Sequence, residues 1–140
     1  MQQALVAAQT AAKLGEVPVG AVLVSVHTGE VVATAHNATE AGDPTAHAEI
    51  QALRALGQAR LGDYDLYVTL EPCAMCAGAI SHARIRKLVF GAYDPKGGAV
   101  EHGPRFFSQP TCHHAPEVVG GVMETECGQI LRDFFAERRA

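Results

Sequence analysis

Three metal-prone side chains, His47, Cys73 and Cys76, are divided between two segments that each read as the start of a helix. The first is Thr45-Ala46-His47-Ala48-Glu49, the second Glu71-Pro72-Cys73-Ala74-Met75-Cys76, and a helix-like and a strand-like run separate them. At about 100° per residue, His47 and Glu49 diverge on the surface of a long helix, so they converge only off its N-terminus. Cys73 and Cys76 suit the same position on the second helix, where free backbone N–H groups and partial positive charge favour thiolates. The chain must therefore bring two helix N-termini to one point.

Catalytic zinc sites take three protein ligands and leave the fourth position to water. His47, Cys73 and Cys76 supply three, so Glu49 is better used for proton transfer than as a ligand. Zinc lowers the pKa of bound water to about 7, and an adjacent carboxylate can pass that proton to a ring nitrogen and later to a departing amine. The pattern is that of hydrolytic deaminases, which release ammonia. A structural zinc knuckle or a redox pair is the alternative for Cys73 and Cys76, and the His-Ala-Glu partner argues against it. Glu71 reads as a local capping or orienting residue. Asn37 reads equally as a turn residue or as an amide that accepts from and donates to a base or ribose. Cys112-His113-His114 is also metal-prone, but three consecutive side chains do not easily share one ion. His27, His36, His82 and His102 read as isolated surface histidines, and Cys127 as a small buried hydrophobe.

The elements between these motifs alternate. Small apolar residues from Ala4 to Leu14 form a helical stripe ended by Gly15, with no basic region before it of the kind a signal peptide carries. Val19–Val26 and Glu30–Ala35 read as a hairpin around His27-Thr28-Gly29, with the first strand apolar on both faces and so covered on both. A helix is expected from Ala46 to Leu56 with Gly57 as its cap, then a strand Asp65–Leu70, a helix through His82 with Pro72 in its first turn, and a strand Leu88–Gly91. Asp94–Pro116 is too long for an ordinary connection and is expected to serve a site. Glu117–Val119 reads as a last strand. A helix from about Met123 follows, with Met123, Cys127, Ile130, Leu131 and Phe134 facing the core. This order implies a layered α/β domain.

With 140 residues, 48% of them hydrophobic and 19% charged, the chain suits one domain spanning 1–140. No apolar run is long enough for a membrane span, and paired cysteines without a secretory signal point to a reduced, cytoplasmic setting and to metal rather than disulfides. The net charge of −4 is uneven: residues 1–83 carry three basic and eight acidic side chains, and residues 84–140 eight basic and seven acidic. That is no footprint for duplex DNA, although a local cluster could hold a short nucleic-acid loop.

Gly15-Glu16-Val17-Pro18-Val19-Gly20-Ala21-Val22, Asp43-Pro44-Thr45-Ala46-His47-Ala48-Glu49-Ile50, Tyr67-Val68-Thr69-Leu70-Glu71-Pro72-Cys73 and Asp133-Phe134-Phe135 resemble the bacterial tRNA-specific adenosine deaminases of the cytidine/deoxycytidylate deaminase superfamily. The resemblance runs nearly end to end. It implies a three-layer α/β/α cytidine-deaminase-like fold with a central mixed sheet of about five strands, and a homodimer with each site near the subunit boundary. It also implies one Zn2+ per subunit on His47, Cys73 and Cys76, with Glu49 as proton shuttle. Asn37 matches a base-contacting residue, and Val19, Phe135, Arg138 and Arg139 are the further substrate contacts expected. The sequence departs from the family at Glu40-Ala41-Gly42, where basic residues are expected, and from Ala99 to Ala115.

The function expected is conversion of the wobble adenosine of a tRNA anticodon stem-loop to inosine. The aromatic and basic C-terminus favours RNA, because single-stranded loops are held by stacking and phosphate contacts. A free nucleobase or nucleoside deaminase shares the motif and is the enzyme alternative. A non-catalytic zinc subunit presenting RNA to a partner is the other, and an intact Glu49 argues against it.

Overall fold

The computed structural model describes residues 1–139. Its strands β1 (Gly20–Ser25), β2 (Val31–His36), β3 (Tyr64–Leu70), β4 (Lys87–Ala92) and β5 (Glu117–Val119) form one sheet in the order β2-β1-β3-β4-β5. β1 is antiparallel to β2 and β3, whereas β3, β4 and β5 run parallel, so the sheet is mixed. The helices are α1 (Gln2–Lys13), α2 (Ala48–Leu56), α3 (Ala74–Ala83) and α4 (Glu124–Arg139).

Side-chain alternation along β1 and β4 sorts the helices into two layers. A Cβ on Gly20 would strike the backbone of α1 at Ala4 and Ala8, and one on Gly91 would lie 2.5 Å from the Cys127 Sγ of α4. α1 and α4 therefore press on one face at glycines that permit close approach. The alternate residues Ala21, Leu23, Leu88 and Phe90 enter one buried cluster with Ala48 and Ala52 of α2 and Ile80 of α3. This is the expected three-layer arrangement, with β1 covered on both sides.

Local details differ from the sequence expectation in physically simple ways. α1 buries Ala4, Ala7, Ala8 and Ala11, but Leu14 lies past its last turn and is 65% exposed. Pro72 lies one residue before the Cys73 N-cap of α3 rather than within the first turn. Met123 precedes α4 at φ 54°, and the buried stripe of α4 contracts to Cys127 and Phe134. The 94–116 segment contains only a short 3-10 turn, Phe106–Ser108. No helix among the described residues is long and apolar enough to cross a membrane.

Candidate active site

The parallel pair β3 and β4 fixes where the site forms, since ligands to open α/β sheets collect beyond the carboxyl ends of parallel strands. β3 runs into Glu71, Pro72 and Cys73, and Cys73 caps α3 with extended backbone, φ −76° and ψ 176°. His47 caps α2 in the same way, φ −71° and ψ 154°. Neither residue is in regular helix, which removes the angular conflict between His47 and Glu49. Both helices point their N-termini at one place.

His47 Nδ1 lies 3.6 Å from Cys73 Sγ and 3.5 Å from Cys76 Sγ. For a tetrahedral ion with Zn–S near 2.3 Å and Zn–N near 2.05 Å, the S···N edge is about 3.6 Å. The residues thus fit zinc, and among the described residues they form the one group of three or more His, Cys, Asp or Glu side chains close enough to share an ion. The thiols are already polarised. The neighbouring Cys76 thiol, against burial and aided by the N–H groups of the first turn of α3, holds Cys73 down at about 5. Cys76 is pushed up by Cys73 and by its own burial. The pair shares one proton, which a divalent cation would displace.

Glu49 follows in the first turn of α2 and is buried. Burial raises its carboxyl to about 7, against the opposing pull of its own backbone N–H. A group so placed exchanges protons near neutral pH.

The pocket over these residues has a volume of about 360 Å3, within the roughly 300–1,000 Å3 of small-molecule sites. Val19 and Asn37 form part of its wall. The Asn37 N–H donates to the Val19 carbonyl at 3.1 Å, and the Asn37 Oδ1 accepts from the Ala48 N–H at 2.8 Å. The Asn37 carbonyl side thus holds α2 in place, and its amide N–H groups are the part left to a ligand. Sequence patterns offered both polar functions; one lone pair of the amide oxygen is engaged by Ala48.

A second hollow of about 650 Å3 shares Val17, Leu70 and Asp94 with the first and is lined further by Arg132 and Phe135 of α4. Phe135 is therefore next to the pocket without entering it. Arg138 turns back into the chain, its guanidinium 4.3 Å over the Phe134 ring and donating to the Gly15 carbonyl at 2.7 Å. Arg139 is exposed at the end of α4.

Pocket residues to which the sequence assigned no role are Val17, Thr39, Leu70, Asp94 and Gly97. Glu16 organises one side: its buried carboxylate accepts from the Glu40 N–H at 3.0 Å and from Thr39 Oγ1 at 3.4 Å. His102 is not isolated, since its Nδ1 lies 2.8 Å from Glu71 Oε1. The Cys112–His114 segment packs on α3, with the His114 N–H donating to Ser81 Oγ and the His114 ring bonded to the Ile85 carbonyl.

Two N-cap residues and a cysteine at i+3 that could hold a metal ion, with a buried acid beside them, have the arrangement of a metal-dependent hydrolytic deaminase site. Residues 1–92 match the cytidine and deoxycytidylate deaminase zinc-binding region, and the chain belongs to that family. Over 144 aligned residues it is 61% identical to the tRNA-specific adenosine deaminase of Agrobacterium fabrum, covering 99% of this chain and 93% of the relative. It is 48% identical to the tRNA-specific adenosine deaminase of Bacillus subtilis, covering 99% and 88%. A solved structure from work on A-to-I editing by tRNA:A34 deaminases at the wobble position superposes with a TM-score of 0.87 at 61% identity, covering 94% of this chain and 97% of that one.

Proposed function

We propose that the chain is a single-domain zinc-dependent hydrolase that deaminates the wobble adenosine of a tRNA anticodon loop to inosine. The observation that carries this reading is the tetrahedral spacing of His47, Cys73 and Cys76 beside the buried carboxylate of Glu49. Zinc held there would polarise a water for attack on the amine-bearing ring carbon. Glu49 would take one proton from the attacking water and pass it to the adjacent ring nitrogen, then carry the water's other proton to the amine as the C–N bond breaks and the new C=O forms. Water is consumed and ammonia released. Asn37 donates to the flipped base from its amide, and Val19 bounds the base from the same wall. Phe135 lines the adjoining hollow, where it would meet a neighbouring nucleotide, and Arg138 and Arg139, the cations in the last turn of α4, would serve the phosphates.

We also infer a homodimer. The reading rests on the resemblance to the tRNA-specific adenosine deaminases, which implies a homodimer with each site near the subunit boundary. A cytoplasmic location follows from the substrate.

The test is incubation of the zinc-loaded protein with an anticodon stem-loop carrying adenosine at the wobble position. Inosine is the expected product. Ammonia release from free adenine, guanine or cytosine, with no inosine formed in RNA, would overturn the substrate assignment and leave the chemistry.

A further inference from the structure

We propose that Glu71 is a positioning residue, an internal carboxylate clasp that holds the loop from Asp94 to His102 as a wall of the pocket and thereby sets substrate affinity. Its kinetic consequence rests on the deaminase reading above; its structural consequence does not.

Glu71 is 2% exposed, and its backbone N–H donates to the Ala92 carbonyl at 2.8 Å, continuing the β3–β4 ladder. Its side chain reaches into the loop. Oε1 accepts from the Asp94 N–H at 3.0 Å and is paired with His102 Nδ1 at 2.8 Å. Oε2 accepts from the N–H groups of Val100, Glu101 and His102 at 3.1, 2.9 and 3.1 Å. A carboxylate has about four lone-pair sites, so these five donors saturate it, and no oxygen remains to act on a substrate. Gly98 makes the approach possible, because a Cβ there would sit 2.5 Å from the carboxylate carbon and from Oε2.

A loop of this length without regular structure belongs by default to the least stable parts of a fold. Here, charge-assisted bonds tie both its ends to the residue two before a metal-facing cysteine. Asp94, at the first tie, and Gly97, between the ties, line the pocket, and Asp94 is shared with the adjoining hollow. Releasing the clasp frees the wall while leaving His47, Glu49, Cys73 and Cys76 in place.

The experiment compares zinc-loaded wild type, Glu71→Gln and Gly98→Ala by amide hydrogen exchange, zinc analysis and steady-state kinetics on the anticodon stem-loop. Glutamine offers one acceptor oxygen and sets its NH2 against the remaining N–H donors. Exchange at Asp94, Val100, Glu101 and His102 should accelerate about tenfold or more, with zinc content unchanged. KM should rise roughly tenfold while kcat stays within about threefold. Gly98→Ala should reproduce both effects from the loop side with Glu71 intact, and it decides the matter if Glu71→Gln does not fold. Unchanged exchange in the variants, or a fall in kcat with lost zinc and constant KM, overturns the proposal. If wild type turns over no RNA, the deaminase reading fails on that result, and the exchange rates alone decide the clasp.

Discussion

The side-chain oxygen of Asn37 accepts a 2.8 Å hydrogen bond from the backbone N–H of Ala48, the residue that follows His47. His47 has no side-chain cap of its own for α2, so Asn37, eleven positions before Ala48, performs that task. The bond joins the end of β2 to the helix that carries His47 and Glu49. Under the proposed function the amide N–H groups have a second duty, donation to the base.

Asn37 variants separate these two duties. Asn37→Ala removes the cap and the donor, and should cost about 1 kcal/mol of stability together with turnover. Asn37→Asp keeps an acceptor for the Ala48 N–H but replaces the donor, so its melting temperature should lie nearer to wild type than that of Asn37→Ala while its activity is equally low. Wild-type activity in Asn37→Asp would show that donation to the base is not needed.

Glu49→Ala should retain a full zinc complement and lose turnover by about 100-fold to 10,000-fold, the range for removing a positioned acid–base group. Because burial opposes its charge and raises its carboxyl to about 7, its removal is not expected to destabilise the fold. Metal analysis, a thermal melt and inosine formation on one preparation provide the three readouts. Activity equal to wild type would remove Glu49 from the proton path.

Cys73 begins α3 and faces His47 at the start of α2, so an ion at this point ties two helices across the sheet end. Cys73→Ala should lose zinc and stability together. A chelator should lower the melting temperature of the wild type and leave that of Cys73→Ala nearly unmoved. Full zinc content in the variant would refute the ligand assignment.

The sequence patterns exposed the parts of this molecule whose causes are local. His47 stands at the start of a helix whose end Gly57 marks, Cys73 and Cys76 at the start of one announced by Pro72, and the Val-rich runs of β1 and β2 flank a Gly29 turn at φ 72°. Their convergence was readable because the chemistry requires it. What stayed hidden depends on contacts between distant segments. The Glu71 carboxylate meets donors 23 to 31 residues away, and Glu16 meets Glu40 24 residues away. Neither partner set has a periodic signature. His102 looked isolated for the same reason, and Arg138, within three residues of Phe135, faces Gly15 at the other end of the chain.

The two terminal arginines should therefore behave differently, although both are cations in the last turn of α4. Arg138 stacks on Phe134 and donates to the Gly15 carbonyl, so Arg138→Ala should cost about 1 kcal/mol of stability through the lost cation–π contact and hydrogen bond. Gly15 leads directly to Glu16 and to Val17 of the pocket wall, so part of the effect on binding is indirect. Arg139 is exposed, and Arg139→Ala should leave the melting temperature unchanged. If Arg139 meets a phosphate, its loss should weaken stem-loop binding alike for every loop sequence. It should also flatten the dependence of log affinity on log salt by about 0.7 for a single-stranded contact. Binding titrations at several salt concentrations check this. An unchanged slope in Arg139→Ala would place the RNA backbone elsewhere, and an unchanged melting temperature in Arg138→Ala would deny that residue its structural part.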